Sequence, residues 1–279
     1  MGRFQRSWAL TKCSFQVLRS DKELLVFPLV ASIAAIMVAA TIVLPMFGLG
    51  LFENMDGGRS FELYVWGFAF YLVQYFVIFF FNSALVGAAM IRLDGGDPTV
   101  SDGLRIARSK WKQILGYAAI AATVGLILRA LEQRAGFLGR IVIGFIGVAW
   151  TVATFLTVPL LVARDIGPVD AVKESASLLK KTWGESLIGN GGIGLVMSLI
   201  NVALMVVGGG IVVFLVIQGL TSLAIAAGVL VVLAVIITAL VHSALSGIYS
   251  AVLYRYAVAG DAPQGFDGLL LQNAFQRKM

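Results

Sequence analysis

The side chains able to do chemistry are few and far apart. The chain has one histidine, His242, and one cysteine, Cys13. A lone cysteine makes no intramolecular disulfide and no thiolate metal site. No HExxH motif, carboxylate pair or nucleophile–base arrangement stands out in the apolar blocks. No catalytic residue, metal or cofactor is therefore expected. What is polar inside the apolar stretches is amide, hydroxyl and imidazole. Asn190, Gly194, Met197, Asn201 and Gly208 fall on one face of a helix, and His242, Ser246 and Tyr249 on a face of the next. If the two faces meet, Asn190, Asn201, His242, Ser246 and Tyr249 form a polar, glycine-lined seam. Small residues let helices approach and amides bond across, so the seam reads as helix–helix glue before it reads as a ligand path. His242 reads as a satisfied buried histidine before a metal ligand.

The elements that must carry these residues are membrane helices. Of 279 residues 59% are hydrophobic and only 13% charged, with a mean hydropathy of +0.92. A soluble domain has roughly a quarter of its residues charged. The net charge of +6 does not point to nucleic acid, because the cations cluster in short loops beside apolar blocks. The first 23 residues are too polar, and the block after them too long, for a cleavable signal peptide.

Spans are expected at about 24–44, 62–91, 113–131 and 141–163. The block from Ser186 to Tyr254 holds no Asp, Glu, Lys or Arg. Three spans would fit its length, but would carry Arg255, Arg277 and Lys278 to the side away from the other basic loops. Two long helices turning near Gln218–Ser222 are preferred, with Gly208–Gly210 as a potential break in the first. Ser20 and Glu23 match a capping box before the first span, and Pro28 sits in its tolerated first turns. The second span is densely aromatic from Tyr64 to Phe81. That density reads as packing and interfacial anchoring rather than a ligand cage, with Gln74 and Asn82 bonding neighbouring helices. Arg129 and Glu132 are spaced to pair. Thr151, Thr154 and Thr157 are placed to bond their own backbone, and Pro159 to kink the fourth span.

Between spans lie charged connectors. Residues 1–19 form an amphipathic helix with Phe4, Trp8, Thr11, Phe15 and Leu18 on one face. A second connector, capped by Asp102, carries Leu104, Ala107, Trp111 and Leu115. A third follows the Pro168 break and the Asp170 cap, with Val172, Ala176, Leu179 and Trp183 as its stripe. Such helices either lie on the bilayer or pack on their own bundle. On the surface, Trp8, Trp111 and Trp183 would sit at headgroup depth, while Lys173, Lys180 and Lys181 would meet anionic lipid or a docking partner. The recurring order (Arg, Gly/Pro break, Asp, amphipathic helix) suggests pseudo-repeats at about 1–93, 94–165 and 166–258 with an amphipathic tail at 259–279. Counted loop by loop, 17 of the 21 Lys and Arg fall on one side and 4 on the other. This places both termini in the cytoplasm. The fold expected is an all-α polytopic bundle: six transmembrane helices in three like-oriented pairs, within one membrane domain.

The opening Gly2-Arg-Phe-Gln-Arg-Ser-Trp-Ala-Leu10, with Ser14, Val17-Leu18, Asp21-Lys-Glu-Leu24 and Phe27-Pro28, resembles a family of uncharacterised prokaryotic multi-pass membrane proteins. The resemblance implies a prokaryotic plasma membrane and carries over no site. The function expected is non-enzymatic handling or transport of a neutral or lipidic solute through the bundle. The alternative is a scaffold or accessory subunit that docks a protein partner, a second copy or anionic lipid through its amphipathic helices.

Overall fold

The computed structural model describes residues 14–48, 60–182 and 192–259. All regular structure among them is helical. Helix α1 covers residues 14–20, and a 3-10 turn, Lys22–Leu25, leads into α2 (Val26–Gly48). Then come α3 (Ser60–Leu93), α4 (Val100–Ser109), α5 (Trp111–Arg134), α6 (Phe137–Ala153) and α7 (Thr157–Ala163). After them follow α8 (Pro168–Thr182), α9 (Gly192–Ile217) and α10 (Thr221–Ala259). Among the described residues, six stretches are long and apolar enough to cross a membrane, the fourth being α6 and α7 together.

Proline and glycine set the interruptions. Pro159 excludes the carbonyl of the residue four before it, Phe155, from a regular turn. The helix accordingly stops at Ala153 and restarts at Thr157, a full break rather than a kink. Thr151 and Thr154 bond back to Gly147 O (3.0 Å) and Trp150 O (2.9 Å) as expected, whereas the buried Thr157 hydroxyl does not bond back to its own helix and faces Tyr117. Gly219, at φ 73°, makes the turn between α9 and α10 that the uncharged block required. Gly208–Gly210 do not break α9. At Gly208 a Cβ would come within 2.5 Å of Val231, so this glycine lets α9 and α10 approach closely.

The core lies at one end of the bundle, where the connectors are. There the last turns of α3, α7 and α10 pack together, with Leu85, Leu156, Leu160, Leu245 and Ile248 fully buried. Helix α4 lies on α3 through Gly103. A Cβ there would meet Ala84 O and Phe27 at 2.6 Å. Helix α8 lies on α5, α6 and α7, with Pro168 against Gly116. Both described connectors are thus packed on the bundle.

Several local expectations are corrected here. The Ser20–Glu23 capping box does not form. Ser20 bonds back to Val17 O (2.9 Å), and the Glu23 carboxylate accepts from the Val100 N–H at the start of α4 (3.2 Å). Asp102 is not the cap of α4 but the third residue of a box whose cap is Thr99. Asp170 lies within the first turn of α8, because Pro168 itself opens the helix. Arg129 bonds the Tyr71 hydroxyl rather than Glu132. In α1 the inward residues are Ser14 and Leu18, with Phe15 outside, and in α8 they are Ala171, Ser175 and Leu179. In α1 and α8, tertiary contacts rotate a short helix away from its intrinsic apolar stripe.

Candidate functional site

Above the packed floor is a cavity of about 1070 Å³, walled by α2, α3, α5, α6 and α10. Its wall is largely apolar and aromatic. Phe79 stacks on Tyr75 and on Tyr117 at centroid distances of 5.6 and 4.4 Å, and all three rings line the space. The polar lining is Ser32, Asn82, Thr151, Thr154, His242, Ser243, Ser246 and Ser250 beside the Tyr and Trp polar atoms; no Asp, Glu, Lys or Arg of the described residues faces it.

Most of these hydroxyls have already donated their proton. Ser32 bonds Pro28 O (2.8 Å), and Ser250 bonds Gly247 O (2.8 Å). Thr151 and Thr154 are committed to their own helix in the same way. They still offer oxygen lone pairs, but none is held as a nucleophile by a base. His242 differs: its Nδ1 is buried and has no hydrogen-bond partner among the described residues. The site supplies apolar contact, aromatic faces and neutral hydrogen-bonding groups, and no fixed charge.

Of the residues expected to form the seam, His242 and Ser246 line this cavity. Asn201 does not: its Oδ1 accepts from Thr238 (2.8 Å), tying α9 to α10. Tyr249 lies beside Phe155, ring centroids 6.2 Å apart. The single seam is therefore divided. The antiparallel register of the last two helices puts Asn201 opposite Thr238 and Gly208 opposite Val231, while His242 lies a turn further along α10. Asn190, Trp8 and Trp183 lie outside the described residues.

At the connector end Lys173, Lys180 and Lys181 are exposed, as is Trp111, with the Lys112 amine 5.8 Å from its ring centroid. Gln74 bonds Ala35 O (2.9 Å) as expected of a helix-bridging amide, whereas Asn82 faces the cavity. Sequence reasoning also passed over Ser175. Its hydroxyl donates to Ala153 O (2.6 Å) and accepts from Leu156 N–H (3.1 Å), filling the break in the fourth span. A polar residue four places from both Ala171 and Leu179 was the available signal.

A family of unknown function (DUF6159) matches residues 62–266. The chain belongs to this family. The match runs from α3 past the end of α10, so four of this chain's five cavity walls lie within the matched region; α2 lies before it. The amino-terminal thirty residues that suggested a family resemblance also lie before it. No curated protein and no solved structure matches the chain.

Proposed function

We propose that this DUF6159 protein is a non-enzymatic polytopic membrane protein that holds, and passes through its helix bundle, a neutral or lipidic solute. The observation that carries the reading is the uncharged cavity of about 1070 Å³ inside the bundle. Ligand pockets commonly have volumes of about 300–1,000 Å³ and are mostly apolar with a few polar groups, the composition found here. A charged cargo would need a counter-charge at that depth.

The bundle is read as three like-oriented helix pairs in a prokaryotic plasma membrane, with both termini cytoplasmic. Support comes from equivalent positions. Arg92 and Arg164 end the second and fourth spans. Eight residues before each stand Ala84 and Leu156, and eleven after each stand Gly103 and Ser175, the residues through which α4 and α8 contact those same two positions. Arg255 ends the sixth span in the same manner. Thirteen residues before the three arginines lie Phe79, Thr151 and His242, all of which line the cavity.

The test is reconstitution into liposomes, measuring lipid scrambling and flux of small neutral solutes. Gly144→Leu and His242→Leu, both cavity substitutions, should lower whichever activity is present. Asn201→Leu, at the α9–α10 contact, should leave it intact. Rates equal to those of protein-free liposomes would reject the reading.

A second reading has its own observation: Lys173, Lys180 and Lys181 are exposed together along α8. As a scaffold, the protein would dock anionic lipid or a protein partner there. Reversing all three to Glu should then release whatever co-purifies, while cavity substitutions should not.

A further inference from the structure

We infer that the cavity is entered sideways, from the bilayer, between α6 and α10, and that its occupant is a membrane-borne neutral amphiphile: an alkyl chain bearing a hydroxyl or carbonyl group. This rests on the reading above that the cavity holds a solute, and adds where the solute comes from and what it must contain.

The route follows from which walls touch. Around the cavity α10 packs on α2, α2 on α3, α3 on α5, and α5 on α6. No comparable packing closes the ring from α6 to α10. The fourth span meets α10 through α7, at the cavity floor that Val158 helps to line. Gly144, Val148 and Thr151 of α6 and Ser243 of α10 line the cavity and are also exposed, as the edges of an opening would be. Ser32 and Ile78, the other exposed lining residues, stand on two helices that pack on each other. Toward the connectors the way is shut by the buried floor of Leu85, Leu156 and Ile248.

The chemistry of the occupant follows from the lining. A space this size with largely apolar walls suits a chain rather than a small hydrated solute. Its polar end is specified by His242. A neutral imidazole has one donor and one acceptor nitrogen, and a buried ring nitrogen without a partner is costly in a dry site. Counted down α10, His242 is thirteen residues from Arg255, about 20 Å along the axis and well inside the hydrocarbon layer. The His242 Nδ1 is sealed from the cavity as well, so the contact falls to the Nε2 edge of the ring, which lines the space: a hydroxyl or carbonyl on the occupant bonds there. Asn82 Oδ1, beside Gly247 on the facing helix, offers a second contact.

The experiment uses the full chain in phosphatidylcholine vesicles with three photoactivatable diazirine probes: a long-chain alcohol, the matching alkane and a water-soluble polyol. Labelled residues are read by mass spectrometry. The alcohol should label Thr151 and Ser246 above the outward Phe145 and Ile237. Gly144→Leu and Gly147→Leu extend into open space, since an added Cβ meets nothing closer than 4.0 Å. They should cut cavity labelling about tenfold, the equivalent of ~1.4 kcal/mol, and leave outward labelling unchanged. His242→Leu should remove the preference for alcohol over alkane. Labelling spread evenly over inward and outward faces, or untouched by both cavity-filling variants, would overturn the inference. Cavity labelling by the polyol in place of the alcohol would overturn the lateral route while sparing the solute reading. Absence of cavity labelling by all three probes would sink both.

Discussion

The connector end of the bundle and the α9–α10 hairpin are held by different interactions. At the connector end, helices are fastened by charge, capping and backbone contact. Every ion pair among the described residues lies there, including Arg92–Asp21 (3.0 Å), Lys110–Asp165 (3.2 Å), Arg164–Glu174 and Arg255–Asp94. The hairpin has the Gly208–Val231 approach and the Asn201–Thr238 bond, and otherwise presents Met205, Val206, Phe214, Ile225 and Leu230 outward. Lipid tails are as apolar as leucine, so greasy surface alone does not bring membrane helices together. What joins them is close packing, and polar pairing where water thins out. The hairpin relies mainly on the first, α9 packing along the length of α10, and its length sets it apart too. Thirty-nine residues of α10 extend about 58 Å, against a hydrocarbon layer of about 30 Å, so the helix must tilt or reach past it.

The contrast is broken most forcefully at Gly103. Gly103→Val drives a side chain into Ala84 O and Phe27, and the carbonyl belongs to a buried helix that cannot easily retreat. Overpacking costs about 1–3 kcal/mol where neighbours yield, and this site should exceed that range. A large fall in thermal midpoint in detergent, or no folded protein, is expected. Gly209→Ala, with nothing within 4 Å of its Cβ, should hold the midpoint or raise it, because alanine favours helix over glycine by about 1 kcal/mol. Equal sensitivity at both glycines would mean that the space around each Cβ does not set the cost.

Next in size is Ser175→Val. It leaves the Leu156 N–H and Ala153 carbonyl unsatisfied in a buried break, at a cost of about 1–3 kcal/mol. The matching change in the hairpin, Thr238→Val, removes one interhelical bond of a kind that averages about 0.6 kcal/mol in membranes. Melting curves of both variants in the same detergent compare them directly. A larger loss from Thr238→Val would mean that the hairpin depends on its polar contact more than the connector end does.

How much of this was legible beforehand varied with the range of the determining force. Hydropathy and Gly/Pro placement are local, and they announced six spans, the turn at Gly219 and the interruption near Pro159. Glutamine bonding, as at Gln74, also followed from type and depth. Tertiary geometry was not local. No spacing rule says that Glu23 will cap α4, 77 residues on, or that Ser175 will seat in a helix break. The cavity was half legible. His242 and Ser246 were singled out, but they were paired with Asn201, their neighbour in the hairpin. The walls that enclose them with Asn82 and Thr151 come from helices distant in sequence.

The smallest effect concerns two carboxylates at the connector end with opposite shifts. Burial holds Asp21 above the usual carboxylate range, against the pull of Arg92 and with added repulsion from Asp97 and Glu23. Asp102 is held below it by hydrogen bonds from the Thr99 hydroxyl and backbone, with Arg105 adding to the effect. The signs follow from proton binding. The folded chain holds a proton on Asp21 more tightly than the unfolded one, so Asp21 favours folding below pH 3.8 and loses that advantage as pH rises through its raised folded value. Asp102 is the reverse: its stabilisation is present above pH 3.8 and is lost as pH falls through its lowered value. At neutral pH, Asp21→Asn should therefore be at least as stable as the parent, and Asp102→Asn less stable. On acidification the parent should lose any disadvantage to Asp21→Asn first, once Asp21 takes up its proton. Its advantage over Asp102→Asn should persist to lower pH. Paired melts across that range decide it. If Asp21→Asn is the more damaging change at neutral pH, the Arg92 contact outweighs the desolvation of Asp21.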